Sequence, residues 1–207
     1  INNKAGTGVQ FNAAVKLNKV ADSTITAAGF GVYFNTNSSN TLSGSYIRGS
    51  TAAYITGSTG TVIGGSVLVA TNTAGTALWF AGGSVNLALT TSTFSGGTQG
   101  TGIYLDAYNS GAMVLSSNVV NGGRYGLNIS TQNTGAALSI TSITFASLTG
   151  GATAINFNSG PLVATITAAG FRSSGIAVNV NAVSLGADSR IVMDHAYGLK
   201  GGSLFEN

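Results

Sequence analysis

The stretch Leu115-Ser116-Ser117-Asn118-Val119-Val120-Asn121-Gly122-Gly123-Arg124-Tyr125-Gly126-Leu127-Asn128-Ile129 decides the fold. Leu115 and Val120 are apolar and five apart, and Leu127 and Ile129 enclose the polar Asn128. Alternation over three residues is the strand period, and a strand this short cannot bury a face alone. It needs an equivalent beside it, and the sequence supplies one repeatedly. The apolar–outward–apolar unit, usually after a small residue, recurs as Val9-Gln10-Phe11, Val32-Tyr33-Phe34, Ala53-Tyr54-Ile55, Leu78-Trp79-Phe80, Ile103-Tyr104-Leu105, Ile155-Asn156-Phe157 and Val178-Asn179-Val180. From Phe11 to Val180 the recurrence takes seven steps of about 24 residues.

The pair spaced by five interleaves with it: Ile25 and Phe30, Leu42 and Ile47, Val62 and Val67, Leu89 and Phe94, Leu115 and Val120, Ile140 and Phe145, Ile166 and Phe171. Thr24-Ile25-Thr26-Ala27-Ala28-Gly29-Phe30 returns unchanged at Thr165–Phe171. A third alternating run fits most units, as in Val85–Leu89 and Ala136–Ile140. Repeats that stack on their neighbours make a solenoid. Gly96-Gly97, Gly122-Gly123, Gly150-Gly151 and Gly201-Gly202 permit the φ > 0 bends of its corners. The single proline, Pro161, fits a chain in which each strand residue is needed for the ladder. The expectation is an all-β chain, residues 1–207 forming one solenoid domain of about eight coils with three short strands each.

Composition limits what such a solenoid does. Hydrophobic residues make up 43% and charged ones only 6%, against roughly 25% charged in an ordinary soluble domain. Ser, Thr and Asn must therefore form the wet face. The net charge of +3 comes from eight basic residues scattered over the chain, not from the clustered footprint that nucleic acid requires. Cysteine is absent, which removes disulfides, thiolate zinc sites and thiol nucleophiles. A Gly/Ser/Thr/Asn-rich chain poor in Lys and Glu points to secreted or cell-surface material. No apolar run is long enough for a transmembrane helix. Residue 1 is Ile, which fits a removed leader or an excerpt of a longer protein.

The unit Leu115–Ile129 resembles the parallel β-helix repeat of right-handed β-helix proteins, in which an apolar strand leads through a small or Asn turn position into Gly-Ile-x-Leu. The resemblance covers roughly residues 9–180 and implies a single-stranded right-handed parallel β-helix of adhesin- or fibre-like type. The turn column departs from stacked Asn, reading Ala28, Ser45, Gly65, Ser92, Asn118, Ile143 and Ala169. The last coil allows two registers around Arg190–Met193: Val192 inward, or Ile191 and Met193 inward.

Pectate lyases and polygalacturonases share this fold, so a polysaccharide-active enzyme or tailspike is one alternative. Cleaving a glycan takes two or three converging carboxylates. The supply is Asp22, Asp106, Asp188, Asp194 and Glu206, and only Asp188, Arg190, Asp194 and His195 gather in one coil. That is the gathering expected where a solenoid ends. With one histidine and no cysteine a structural zinc site is not expected, and no cofactor is implied.

The outward position between the anchors reads Gln10, Tyr33, Tyr54, Trp79, Tyr104, Asn128, Asn156, Asn179. Four adjacent coils thus present an exposed aromatic ladder, Tyr33, Tyr54, Trp79 and Tyr104, followed by an amide ladder. The aromatics suit self-stacking, a protein contact or a glycan. Hydroxylic pairs such as Thr24/Thr26, Thr41/Ser43, Ser139/Thr141 and Thr165/Thr167 raise ice binding as a further alternative, though Ile63, Ala88 and Val114 break the columns. The preferred reading is a non-enzymatic extracellular structural solenoid, a filament subunit or a section of a surface adhesin or stalk. Its partner is another copy of itself, docked end to end through Val9, Phe11, Leu204 and Phe205, with a glycan or another surface protein as further partners.

Overall fold

The computed structural model describes residues 1–13, 15–130, 135–146, 151–158, 163–172, 175–181, 190–194 and 205–206, with the backbone alone at 172, 190, 191, 205 and 206. The chain is a right-handed parallel β-solenoid of about seven turns and about 25 residues per repeat. Three sheets form its walls, called A, B and C here, and their strands pair in parallel, each with its equivalents in the adjacent turns. In chain order a turn visits C, A and B; Lys19–Ala21, Thr24–Ala27 and Phe30–Asn35 are one such turn. The step between partners is not constant. It is 21 residues from Ile47 to Leu68 and 28 from Ile129 to Phe157; the corners absorb most of the difference, and in sheet C the pairing of Val85–Thr90 with Ser110–Ser116 takes up one extra residue in a bulge between Val85 and Leu87.

The core is a set of columns, each one residue per turn. Sheet A contributes Ile25, Ile47, Leu68, Phe94, Val120, Phe145 and Phe171, all at 1% exposure or less. Sheet B contributes two columns that flank the outward position, among them Phe34, Ile55, Phe80 and Leu105. Sheet C contributes Val20, Leu42, Ile63, Leu89, Leu115, Ile140 and Ile166. The run Val85–Leu89 and the first member of the five-spaced pair therefore belong to one strand.

Two turns correct the expected register. The inward pair is Val20 with Ile25, not Ile25 with Phe30, and Ile63 with Leu68, not Val62 with Val67, which are 44% and 37% exposed. At Val62-Ile63 and Val67-Leu68 adjacent apolar residues offer two alternations, while Ile25 has an apolar residue five positions away on each side, and in both places the ladder to the neighbouring turns selects one. Consequently Thr24 and Thr26 flank a sheet A strand while Thr41 and Ser43 flank a sheet C strand, so these hydroxyl pairs do not share a face. In the last turn Met193 pairs with the buried Ile166 and packs on the core, while Val192 is 45% exposed, so the register with Val192 inward does not hold.

The corner from C to A turns at the same place in each of seven coils. Asp22, Gly44, Gly65, Thr91, Ser117, Ser142 and Ala168 all have φ between 47° and 57°, although only two of them are glycines for which that conformation carries no penalty. The residue after each forms the turn column, and its true members are Ser23, Ser45, Ser66, Ser92 and Asn118, with Ile143 and Ala169 beyond; Ala28 and Gly65 lie elsewhere. Ser45, Ser66 and Ser92 each accept the backbone N–H of the serine one turn earlier, and all four serines donate to the carbonyl two residues back, as Ser66 does with Ser45 (3.2 Å) and Gly64 (3.0 Å). Asn118 closes the row by accepting from Ser92 N–H and donating to Leu89. A second row of the same kind, Asn37–Ser58–Ser84–Asn109, lines the B-to-C corner. These rows satisfy corner backbone groups that burial would otherwise leave unpaired.

Candidate functional site: an aromatic and amide column

Sheet B positions the column. Its strands Phe30–Asn35, Thr51–Thr56, Thr76–Ala81 and Thr101–Leu105 pair so that Tyr33 lies beside Tyr54, Tyr54 beside Trp79 and Trp79 beside Tyr104. A buried small residue precedes the inner anchors. At Gly31 a Cβ would sit 2.5 Å from both the Ala52 carbonyl oxygen and the Ile47 side chain. Sheet B can therefore approach sheet A closely at that corner, and the outward residue stands at a fixed height in each turn.

The ring centroids are 5.2 Å apart for Tyr33–Tyr54, 5.1 Å for Tyr54–Trp79 and 5.6 Å for Trp79–Tyr104. All four side chains are half-buried. Phe30, which alternation had assigned to the core, joins them: it stacks on Tyr54 at 4.8 Å with planes 17° apart and touches Tyr33 at 5.4 Å. Tyr54 consequently meets three rings. Along the ladder the ring planes are tilted or edge-on, at 35° for Tyr33–Tyr54, 68° for Tyr54–Trp79 and 44° for Trp79–Tyr104, and of the contacts in this column only Phe30–Tyr54 is stacked.

The polar atoms of the column are also engaged. Asp106, just past its strand, accepts Trp79 Nε1–H at Oδ2 (3.1 Å), and at Oδ1 the Tyr104 hydroxyl (3.3 Å) and the Ala107 N–H (2.8 Å). The Tyr104 phenol is pushed above its ordinary value by burial first and by the Asp106 charge second, a Ser130 hydrogen bond acting the other way; burial, then Tyr54, raises Tyr33. Nothing in the spacing of the sequence shows that Asp106 leans back onto Trp79 of the preceding turn.

Beyond Tyr104 the column turns to amides. Asn156 Nδ2 donates to Asn128 Oδ1 at 2.7 Å, Asn158 Nδ2 to the same oxygen at 3.2 Å, and Asn179 Nδ2 to Asn156 Oδ1 at 2.8 Å. At the other end Gln10 pairs with Tyr33 in register, its amide donating to Asn12.

The first turn presents the edge of all three sheets, with Asn2–Asn3 in A, Val9–Phe11 in B and Lys19–Ala21 in C. Phe11 stacks on Phe34 at 5.2 Å, and it and Val9 are only partly buried, unlike Val32 and Phe34 beside them. Phe205 pairs with Val178, in the column that begins at Val9; Leu204 lies outside the described residues. So do Asp188 and His195, while Asp194 stands at an exposed position beside Thr167. Among the described residues no three His, Cys, Asp or Glu gather in a way that could hold a metal ion. Nor, among them, is any helix long and apolar enough to cross a membrane.

Fold and column together define a parallel β-solenoid with a stacked one-residue-per-turn surface. No family model matches the chain, and no curated protein matches it. Among solved structures it aligns with a trypsin-treated form of QnrB1, a plasmid-mediated fluoroquinolone resistance protein, at 11% identity over 90% of this chain and 91% of that one, with a TM-score of 0.25. A likeness that slight carries nothing about activity.

Proposed function

We propose that the chain is a length of structural β-solenoid, an extracellular filament subunit or a section of a surface adhesin or stalk, and that its first turn docks on another copy. The observation that carries this reading is the regularity of the rod: three parallel sheets, core columns of one apolar residue per turn, and a surface column that stacks on itself from Tyr33 to Asn179. An open strand edge is a template for pairing, and a head-to-tail joint that does not close on itself gives a filament. In this reading the surface column stiffens the rod, and no catalytic role is assigned.

The test is sedimentation velocity and negative-stain microscopy of the purified chain over a range of concentration and salt. Elongated, concentration-dependent assemblies weakened by Phe11→Asp and by Phe205→Asp, with the β-sheet circular dichroism of each variant retained, support the reading. A chain that remains monomeric at every concentration refutes the docking. Cleavage of pectin or alginate that is lost in Asp194→Ala would replace the structural role with an enzymatic one.

A further inference from the structure

Trp79 is the only tryptophan of the chain, and it sits between two tyrosines at 5.1 and 5.6 Å, with a third tyrosine one turn further on. Indole and phenol are the side chains that yield a single electron most readily, and rings in contact exchange it easily. At neutral pH that loss must release the N–H or O–H proton, so the position of a base decides where the electron deficit settles. Asp106 is such a base, accepting from both Trp79 Nε1–H and Tyr104 O–H through its two oxygens.

We propose that Tyr33, Tyr54, Trp79 and Tyr104 form a relay for one-electron oxidation, in which Asp106 takes up the released proton and Tyr104 is the terminus. The co-reactant is a one-electron oxidant. It removes an electron from Trp79 while the indole proton passes to Asp106 Oδ2, leaving a neutral indolyl radical. Tyr104 then gives an electron to the indolyl, the proton on Oδ2 returns to Nε1, and the phenolic proton moves to Oδ1. The balance is one electron on the oxidant, one proton on Asp106, an intact Trp79 and a neutral tyrosyl radical at Tyr104. The column defines both ends of the relay. After Tyr104 the next positions are Asn128 and Asn156, which do not oxidise, and before Tyr33 stands Gln10. Phe30, equally inert, covers Tyr54. The raised Tyr104 phenol is protonated at neutral pH, so its oxidation has to release a proton and Asp106 is placed to receive it.

The experiment is pulse radiolysis of the full chain with azidyl radicals, followed by transient absorption. The single tryptophan makes the indolyl signal specific to Trp79. The indolyl band should decay in a first-order process whose rate does not depend on protein concentration, and a tyrosyl band should rise at the same rate. Tyr104→Phe keeps the ring and removes the electron donor that shares Asp106 with Trp79, so the tyrosyl rise at the wild-type rate should be lost. Asp106→Asn keeps the shape and removes the base, so the transfer should slow on the order of a hundredfold, as loss of a positioned proton acceptor does. If Asp106→Asn fails to fold, Tyr104→Phe alone decides. Transfer at the wild-type rate in Tyr104→Phe, or decay proportional to protein concentration, overturns the proposal.

Discussion

Phe80→Ala tests the stacked core where it is most enclosed. Phe80 is 0% exposed, sits between Ile55 and Leu105 in its column, and lies in the strand that carries Trp79. An aromatic side chain buries about 150–250 Å², which at about 25 cal/mol per Å² corresponds to roughly 4–6 kcal/mol for the whole ring. Alanine retains part of that, and the neighbouring turns cannot collapse into the gap because their backbones are held by ladders on both sides. The expected loss is therefore about 3–5 kcal/mol, the range for Phe→Ala in packed cores. Phe80→Leu is the control: leucine already fills the next position of the column at Leu105, so the swap should cost much less. Urea unfolding followed by circular dichroism and by Trp79 fluorescence reads both, and the urea slope shows whether the turns on either side still unfold together, since each turn is coupled only to its neighbours. A loss below about 1 kcal/mol for Phe80→Ala, or equal losses for the two variants, would refute the view that the columns are close-packed.

The corner chemistry gives two further tests. Thr91→Gly relieves an exposed β-branched residue at φ 47°; the left-handed penalty of ~1–2 kcal/mol less glycine's entropic cost of ~0.5–1 kcal/mol should raise stability by roughly 0.5–1 kcal/mol in the same urea assay. Ser66→Ala leaves the buried Ser45 N–H without an acceptor and should cost about 1–3 kcal/mol, whereas an unchanged midpoint would mean that the hydroxyl row is incidental. Alkaline titration checks the aromatic column: Tyr33 and Tyr104 have phenols raised above 10.0 in the fold. The folded state then keeps protons that the unfolded chain releases, so stability is full below about pH 10 and falls as pH rises toward the folded values. A melting temperature that climbs above pH 10 would contradict the burial of these rings.

How much of this the sequence reveals follows from which contacts repeat. An inward column is legible because the ladder forces every turn to put an apolar residue at the same height, and one misread turn is outvoted by its neighbours. The misreading at Val62/Val67 arose because each stands beside the true anchor, Ile63 or Leu68, so a one-residue slip still looked like alternation, whereas at Ile25/Phe30 the spacing of five recurs on both sides of Ile25, to Val20 and to Phe30, and the pair was taken across the wrong corner. The outward ladder Tyr33–Tyr54–Trp79–Tyr104 was legible for the same reason as the core, being one residue per turn between two fixed anchors. What occurs once is not legible. Phe30 leans onto Tyr54 instead of entering the core because Gly31 beside it occupies the narrow corner, and Asp106 reaches Trp79 from 27 residues away. The serine rows repeat, yet they hide in a chain rich in Ser, Thr and Gly, where a turn serine that accepts a neighbour's N–H looks like any other. A solenoid therefore announces its architecture through its columns, whereas the chemistry of any one site rests on residues that break the repeat. In this chain those residues are Phe30 and Asp106, one at each end of the same aromatic column.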